Sequence, residues 1–232
     1  MKNKLIVVIG AYGSGKSEYS INLAREFSQN GEKVTLVDLD VVNPYFRSRD
    51  VREKFEEKGI TVIAPDGEFK HADLPMLSPR IMGVVQNNNE VVILDVGGDP
   101  AGCRTLARYV ANINKRGYEM HLVINTKRPF TSDAEGIIEM LEMLQFASKL
   151  KVSEFVCNTN LMEYTTADII EEGITIIEEI AKKENIKFNK FTVLEKYIDQ
   201  IPNIIGGKTR ITLSYFLSKP WEMNNKVHHP GI

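Results

Sequence analysis

Gly10-Ala11-Tyr12-Gly13-Ser14-Gly15-Lys16-Ser17 satisfies the pattern GxxxxGK[ST] at every position. The apolar run Leu5-Ile6-Val7-Val8-Ile9 precedes it and a segment of helical period follows it. Strand, glycine loop and helix in that order are the context that makes the pattern a phosphate-binding prediction. Glycines let successive backbone N–H groups turn inward around phosphate oxygens, at the positive end of the following helix. In such a loop Lys16 reaches the β- and γ-phosphates and the Ser17 hydroxyl ligates Mg²⁺. The cradle is read as Gly10, Ala11, Tyr12, Gly13, Ser14, Gly15, Lys16 and Ser17, with Glu18 at its margin. The bland alternative is a turn that is merely glycine-rich, and the flanking strand and helix argue against it.

Outward from the loop, strands alternate with helices. Lys16 to Asn30 predicts a helix with Tyr19, Leu23, Ala24 and Phe27 on one face, stopped by Asn30-Gly31. Lys33 to Val37 is a second strand ending in Asp38-Leu39-Asp40, followed by an irregular stretch from Val41 to Arg49 and a charged helix from Asp50 to Lys58. Thr61 to Ile63 is a short third strand, and Asp66 to Ser78 is a long aperiodic loop of the kind that forms lids or binding surfaces. Ser78-Pro79 reads as a helix start. Glu90 to Leu94 is the fourth strand, running into Asp95-Val96-Gly97-Gly98-Asp99-Pro100-Ala101-Gly102, with a helix expected from Cys103 to Lys115. Met120 to Ile124, Glu154 to Cys157 and Phe188 to Leu194 complete the strands, with helices from Asp133 to Lys149 and after a capping box at Thr165 and Asp168. A last helix is expected near Ser214 to Lys219, and 220–232 reads as a loosely attached tail.

This alternation predicts an α/β fold, three layers of α/β/α around a mostly parallel sheet. Residues 1–232 carry no repeat or linker and read as a single nucleotide-binding domain. In such sheets ligands sit at the carboxyl ends of strands. The chemically informative residues fall there: the loop after Ile9, the Asp pair after Val37, Asp95 after Leu94, Asn125 after Ile124 and Asn158 after Cys157.

Bulk composition narrows the function. Of 232 residues 43% are hydrophobic, enough for a sizeable core, and 29 Lys+Arg against 31 Asp+Glu leave a net charge of −2. That balance makes nucleic acid an unlikely partner. Cys103 and Cys157 form no CxxC pair, so neither a metal knuckle nor a disulfide framework is expected. The apolar start before Gly10 is only about six residues, too short for a signal peptide or a span. A cytoplasmic protein without a membrane anchor is expected.

The loop, the D-x-D at Asp38 and Asp40, the strand end Ile93-Leu94-Asp95 with Asp99-Pro100-Ala101-Gly102 behind it, and Asn158 resemble the MinD/ParA/CobQ-type P-loop ATPases. The resemblance covers the chain to about Leu161, and Asp40 stands 24 residues after Lys16, as the second aspartate does in that family. It implies ATP and Mg²⁺ as cofactors. It implies that Asp40 positions or deprotonates the attacking water, that Asp38 sits near the magnesium shell beside Ser17, and that Asp95 is the Walker-B acid. Turn-capping is the structural alternative for Asp38 and Asp40. Asn158 resembles the adenine-reading asparagine, and Asn125-Thr126-Lys127-Arg128 does not fit the N-K-x-D of guanine readers.

The sequence departs from the family at Ala11-Tyr12-Gly13, where the closest MinD and ParA types carry a signature lysine that crosses a dimer. A nucleotide-dependent homodimer and fast hydrolysis lose support accordingly. Arg47, Arg49, Arg104 and Lys127 are candidate replacements for that charge. His71, His121 and the His228-His229 pair show no ligand pattern. Three functions follow: an ATPase switch acting on an unidentified protein partner, a phosphotransferase or ATP-dependent ligase for a small metabolite, and a nucleic-acid-segregating ATPase, which the neutral charge disfavours.

Overall fold

The structure is a computed structural model, and it describes residues 4–40, 49–64 and 79–216. The strands are β1 (Leu5–Ile9), β2 (Val34–Leu39), β3 (Ile60–Ile63), β4 (Val91–Val96), β5 (Glu119–Ile124), β6 (Glu154–Cys157), β7 (Lys187–Leu194), β8 (Ile204–Ile205) and β9 (Lys208–Leu213). The helices are α1 (Lys16–Gln29), α2 (Arg49–Glu56), α3 (Pro79–Gln86), α4 (Pro100–Arg104), α5 (Val110–Arg116), α6 (Ala134–Ser148) and α7 (Ala167–Lys183). One nine-stranded sheet runs in the order β3-β2-β4-β1-β5-β6-β7-β9-β8, with every pairing parallel except β8 with β9.

Alternation along the strands builds two cores. Leu5, Val7 and Ile9 of β1 join a cluster with Ile113, Leu144 and Ile177 from α5, α6 and α7. Ile6 and Val8 face the other way and join Tyr19, Ile21 and Ala24 of α1 and Phe55 of α2. Strands buried on both faces read as continuous apolar runs, which is why β1 and β4 were legible at once. The three-layer α/β fold expected from the sequence is the one observed.

Three local expectations are corrected. The helix from Cys103 to Lys115 is broken into α4, a 3₁₀ turn at Thr105–Arg108, and α5. Its start moves forward because Asp99 caps the N-terminus, accepting from Gly102 N at 2.6 Å, with Pro100 at the first helical position. The cap of α7 is Thr166, whose Oγ1 accepts from Ile169 N. Thr165 is spent on closing the preceding 3₁₀ turn, donating to Met162 O and accepting from Leu161 N.

The third correction is the largest. No helix occupies 214–216. Ahead of it, in a stretch given no element from the sequence, the chain makes a hairpin, β8–β9, that adds a parallel neighbour to β7. Gly206 and Gly207, at φ 52° and 72°, form its two-residue turn, and two consecutive positive φ values define the type I′ geometry that suits a twisted hairpin. The remainder of that expected helix, the tail, the loop with His71, and residues 41–48 lie outside the described residues.

Candidate functional site

The site is assembled where β1, β2, β4, β5 and β6 end. After Ile9 the chain turns through the glycine loop into α1, with Gly15 at φ 85°. That left-handed conformation favours glycine, and a Cβ there would also strike the Asn158 side-chain amide. At Gly98 a Cβ would lie 2.8 Å from Gly10 O and 2.9 Å from Tyr12 N, so the β4–α4 segment packs directly on the phosphate loop.

Lys16 Nζ lies 3.0 Å from Asp40 Oδ2, and both groups are buried. Asp38 Oδ1 accepts from Asp40 N at 2.9 Å, so the expected turn-capping role for Asp38 is real and it holds Asp40 in place. Asp38 and Asp95 are register partners on β2 and β4. The Ser20 hydroxyl points to Lys16 O at 2.9 Å and to Asp95 Oδ1 at 3.3 Å. Ser17 Oγ and Asp95 Oδ2 are buried, and among the described residues neither meets a partner in good hydrogen-bond geometry, although the Ser17 hydroxyl lies close enough to favour the Asp95 carboxylate.

Complete burial pushes the Asp95 carboxyl above its ordinary range, opposed by Lys16, Ser17 and Ser20 and reinforced by Asp40. A fully buried carboxylate met only by serine hydroxyls and a nearby ammonium still has acceptor capacity to fill. A hard cation that takes oxygen ligands fits this donor set, as Mg²⁺ does.

Asn158 brackets three strands. Its Nδ2 donates to Ser14 O at 2.6 Å and its Oδ1 accepts from Thr192 Oγ1 at 2.5 Å. Asn125 is structural: its Oδ1 accepts from Lys127 N and Asn160 N, tying the ends of β5 and β6 together. A cavity of about 510 Å³ runs from Lys16 and Asp40 past Asn158 to Leu194, Tyr197 and Tyr215. Its far wall comes from β7, β9 and the residues after them, the part of the chain least legible in sequence.

The charge candidates sort clearly. Lys127 Nζ is drawn to Glu172 on α7, 2.7 Å away, and Arg104 is exposed at the end of α4. Arg47 and the Arg49 side chain lie outside the described residues. Arg128, which sequence reasoning passed over, donates from Nε to Gly13 O at 3.1 Å and lines the cavity. Its proximity to the loop follows from β5 lying beside β1, which local pattern does not reveal. Glu18 lines the same cavity and accepts from Phe216 N. Burial pushes the Cys103 thiol up to about 12, and both cysteines are buried free thiols.

A family model described as the CobQ/CobB/MinD/ParA nucleotide binding domain matches residues 5–205. No curated protein matches the chain. Among solved structures, the cell division protein FtsY of Thermotoga maritima is similar at a TM-score of 0.54 with 22% identity, over 82% of this chain and 62% of that one. Chloroplast FtsY of Physcomitrella patens gives 0.53 with 16% identity over 82% and 59%. The signal recognition particle receptor FtsY of Elizabethkingia anophelis in complex with GDP gives 0.50 with 18% identity over 83% and 57%. The chain thus spans about three fifths of the length of these structures, and the likeness is one of fold.

Proposed function

The chain belongs to the CobQ/CobB/MinD/ParA nucleotide binding domain family, and on that premise we propose that it is a Mg²⁺-dependent ATPase whose nucleotide state is read by a partner protein. Residues 1–232 act as one nucleotide-binding domain in this reading. The observation that carries it is the buried Lys16–Asp40 pair lying beside the buried Asp95 carboxylate and the Ser17 hydroxyl.

An arriving triphosphate competes with Asp40 for the Lys16 ammonium. Transfer of Lys16 to the β- and γ-phosphate oxygens releases the Asp40 carboxylate, held in orientation by its backbone bond to Asp38, to position the attacking water. Ser17 and Asp95, with Asp38 on the neighbouring strand, hold Mg²⁺, which when bound neutralises charge on the phosphates. Arg128 supplies positive charge from within the same chain, where Ala11 takes the place of the family's signature lysine. Asn158 faces the cavity with one amide N–H beyond its bond to Ser14, a donor for the adenine edge. Gly98, packed against the loop, and Gly97, packed against Gly102 of α4, pass loss of the γ-phosphate to α4 and thence to the partner.

GTP is the competing substrate, since one solved relative is in complex with GDP. Binding and turnover of Mg·ATP and Mg·GTP by wild type, Lys16→Ala, Asp40→Ala and Arg128→Ala decide the matter. The expected pattern is preferential ATP binding, none in Lys16→Ala, and retained binding in the other two. Turnover should fall at least ~100-fold in Asp40→Ala and at least ~10-fold in Arg128→Ala, in line with loss of general-base and charge-stabilising groups. Preference for GTP, or undiminished turnover in Asp40→Ala, contradicts the reading. Turnover that appears only with an added small metabolite indicates a phosphotransferase or ligase instead.

A further inference from the structure

On the α1 face of the sheet, where the core is otherwise apolar, β5 and β6 place three polar side chains together. Glu119 and His121 are two residues apart on β5 and so point the same way, and Glu154 is the cross-strand partner of His121. His121 Nε2 lies 3.4 Å from Glu119 Oε2 and 3.5 Å from Glu154 Oε2. His121 is 2% exposed, and among the described residues this nitrogen faces the two carboxylate oxygens at ion-pair distance and meets no partner in good hydrogen-bond geometry. From this geometry we propose a divalent transition-metal site, with Zn²⁺ as the natural occupant, formed by His121 Nε2, Glu119 Oε2 and Glu154 Oε2.

The spacing is the first argument. Two donors each about 2.1 Å from a tetrahedral ion stand about 3.4 Å apart, which is the separation seen here on both sides of the imidazole. The surroundings are the second. Lys4 holds Glu119 by Oε1 at 3.0 Å, and Lys190 holds Glu154 by Oε1 at 3.2 Å, so both carboxylates turn Oε2 toward the imidazole. Among the described residues only Lys187, at 3.3 Å, contends as an ammonium for Glu154 Oε2, and its side chain is 59% exposed and able to leave for solvent.

The third argument is orientation of the imidazole. Its Nδ1 lies 3.0 Å from Tyr19 Oη on α1, the outer contact by which metal-bound histidines are held. Glu119, whose side chain is 41% exposed, gives the way in.

The site is on α1's layer but separate from the nucleotide cradle, and the proposal is independent of the reading of that cradle. A small structural ion network is the rival explanation, and it predicts no metal. The test is retention of Zn²⁺ after equilibrium dialysis, measured by elemental analysis on tag-free protein with His228 and His229 replaced by alanine and with excess Mg²⁺. One Zn²⁺ per chain is expected. His121→Gln and Glu119→Gln should weaken binding at least ~100-fold, and Tyr19→Phe about 10-fold, as removal of outer-contact partners does. Lys16→Ala should leave it unchanged. Lys187→Ala should tighten it several-fold by removing the competing ammonium, a gain that misfolding cannot mimic. Absence of retained Zn²⁺ in the parent protein, retention unaffected by Glu119→Gln, or weakened retention in Lys187→Ala would overturn the proposal.

Discussion

Asp95 bears the main tension of the nucleotide site. It is buried, and the Ser17 and Ser20 hydroxyls and the Lys16 charge offset its desolvation only in part. Groups arranged in this way stabilise a ligand at the expense of the free protein. Asp95→Asn should therefore raise the thermal stability of the nucleotide-free protein at neutral pH by on the order of 1 kcal/mol, a gain of about 2–4 °C at this chain length. The same variant should lose Mg²⁺-dependent nucleotide binding. Calorimetric melting with and without Mg·ATP reads both, and a destabilised Asp95→Asn would mean that the carboxylate is structural. At this scale much of the site was legible beforehand. Lys16, Ser17, Asp38, Asp40, Asp95 and Asn158 all sit at strand ends or in one loop, where sequence and position are tightly linked. Arg128 was not legible, because only the long-range pairing of β1 with β5 brings it to Gly13.

Among elements, the β8–β9 hairpin shows where sequence reading fails. Lys208 to Leu213 is an alternating strand of which only Leu213 is buried, so its apolar signal is weak. The signal that could have revealed it was the turn: Gly206-Gly207 between Ile204-Ile205 and a β-branched run is a hairpin signature. The strand matters because Leu213 and Tyr215 wall the cavity. Asn22 of α1 also clasps Ser214 by two bonds, donating to its carbonyl and accepting from its N–H. A Cβ at Gly207 would meet no neighbouring atom within 4 Å, so substitution there tests backbone conformation alone. Gly207→Val should lower stability in urea by about 1–2 kcal/mol, the cost of a left-handed residue, whereas Gly207→Asn should be nearly neutral. Equal effects of the two would show that the turn's hand is not what holds β9. The neighbouring Thr165 and Thr166 show a different limit. Either could cap α7, and the choice was made by a 3₁₀ turn that claims the first.

Across the molecule, the parallel sheet separates two kinds of chemistry. On the proposed function, the phosphate and Mg²⁺ ligands gather at the strand ends, where loops carry them. The Glu119–His121–Glu154 cluster sits within the sheet on the layer that α1 covers, linked to that helix through Tyr19. Such a separation lets the nucleotide end move while the body of the sheet stays fixed. The account turns on whether ATP and ADP produce different conformations, and hydrogen–deuterium exchange on the Asp40→Ala protein measures this directly. Exchange should be compared with Mg·ATP trapped and with Mg·ADP, using Lys16→Ala as the non-binding reference. The account predicts different protection at Asp40 and in residues 97–104, with the strands unchanged. Identical exchange in the two nucleotide states would contradict it and leave a nucleotide-binding domain that does not switch.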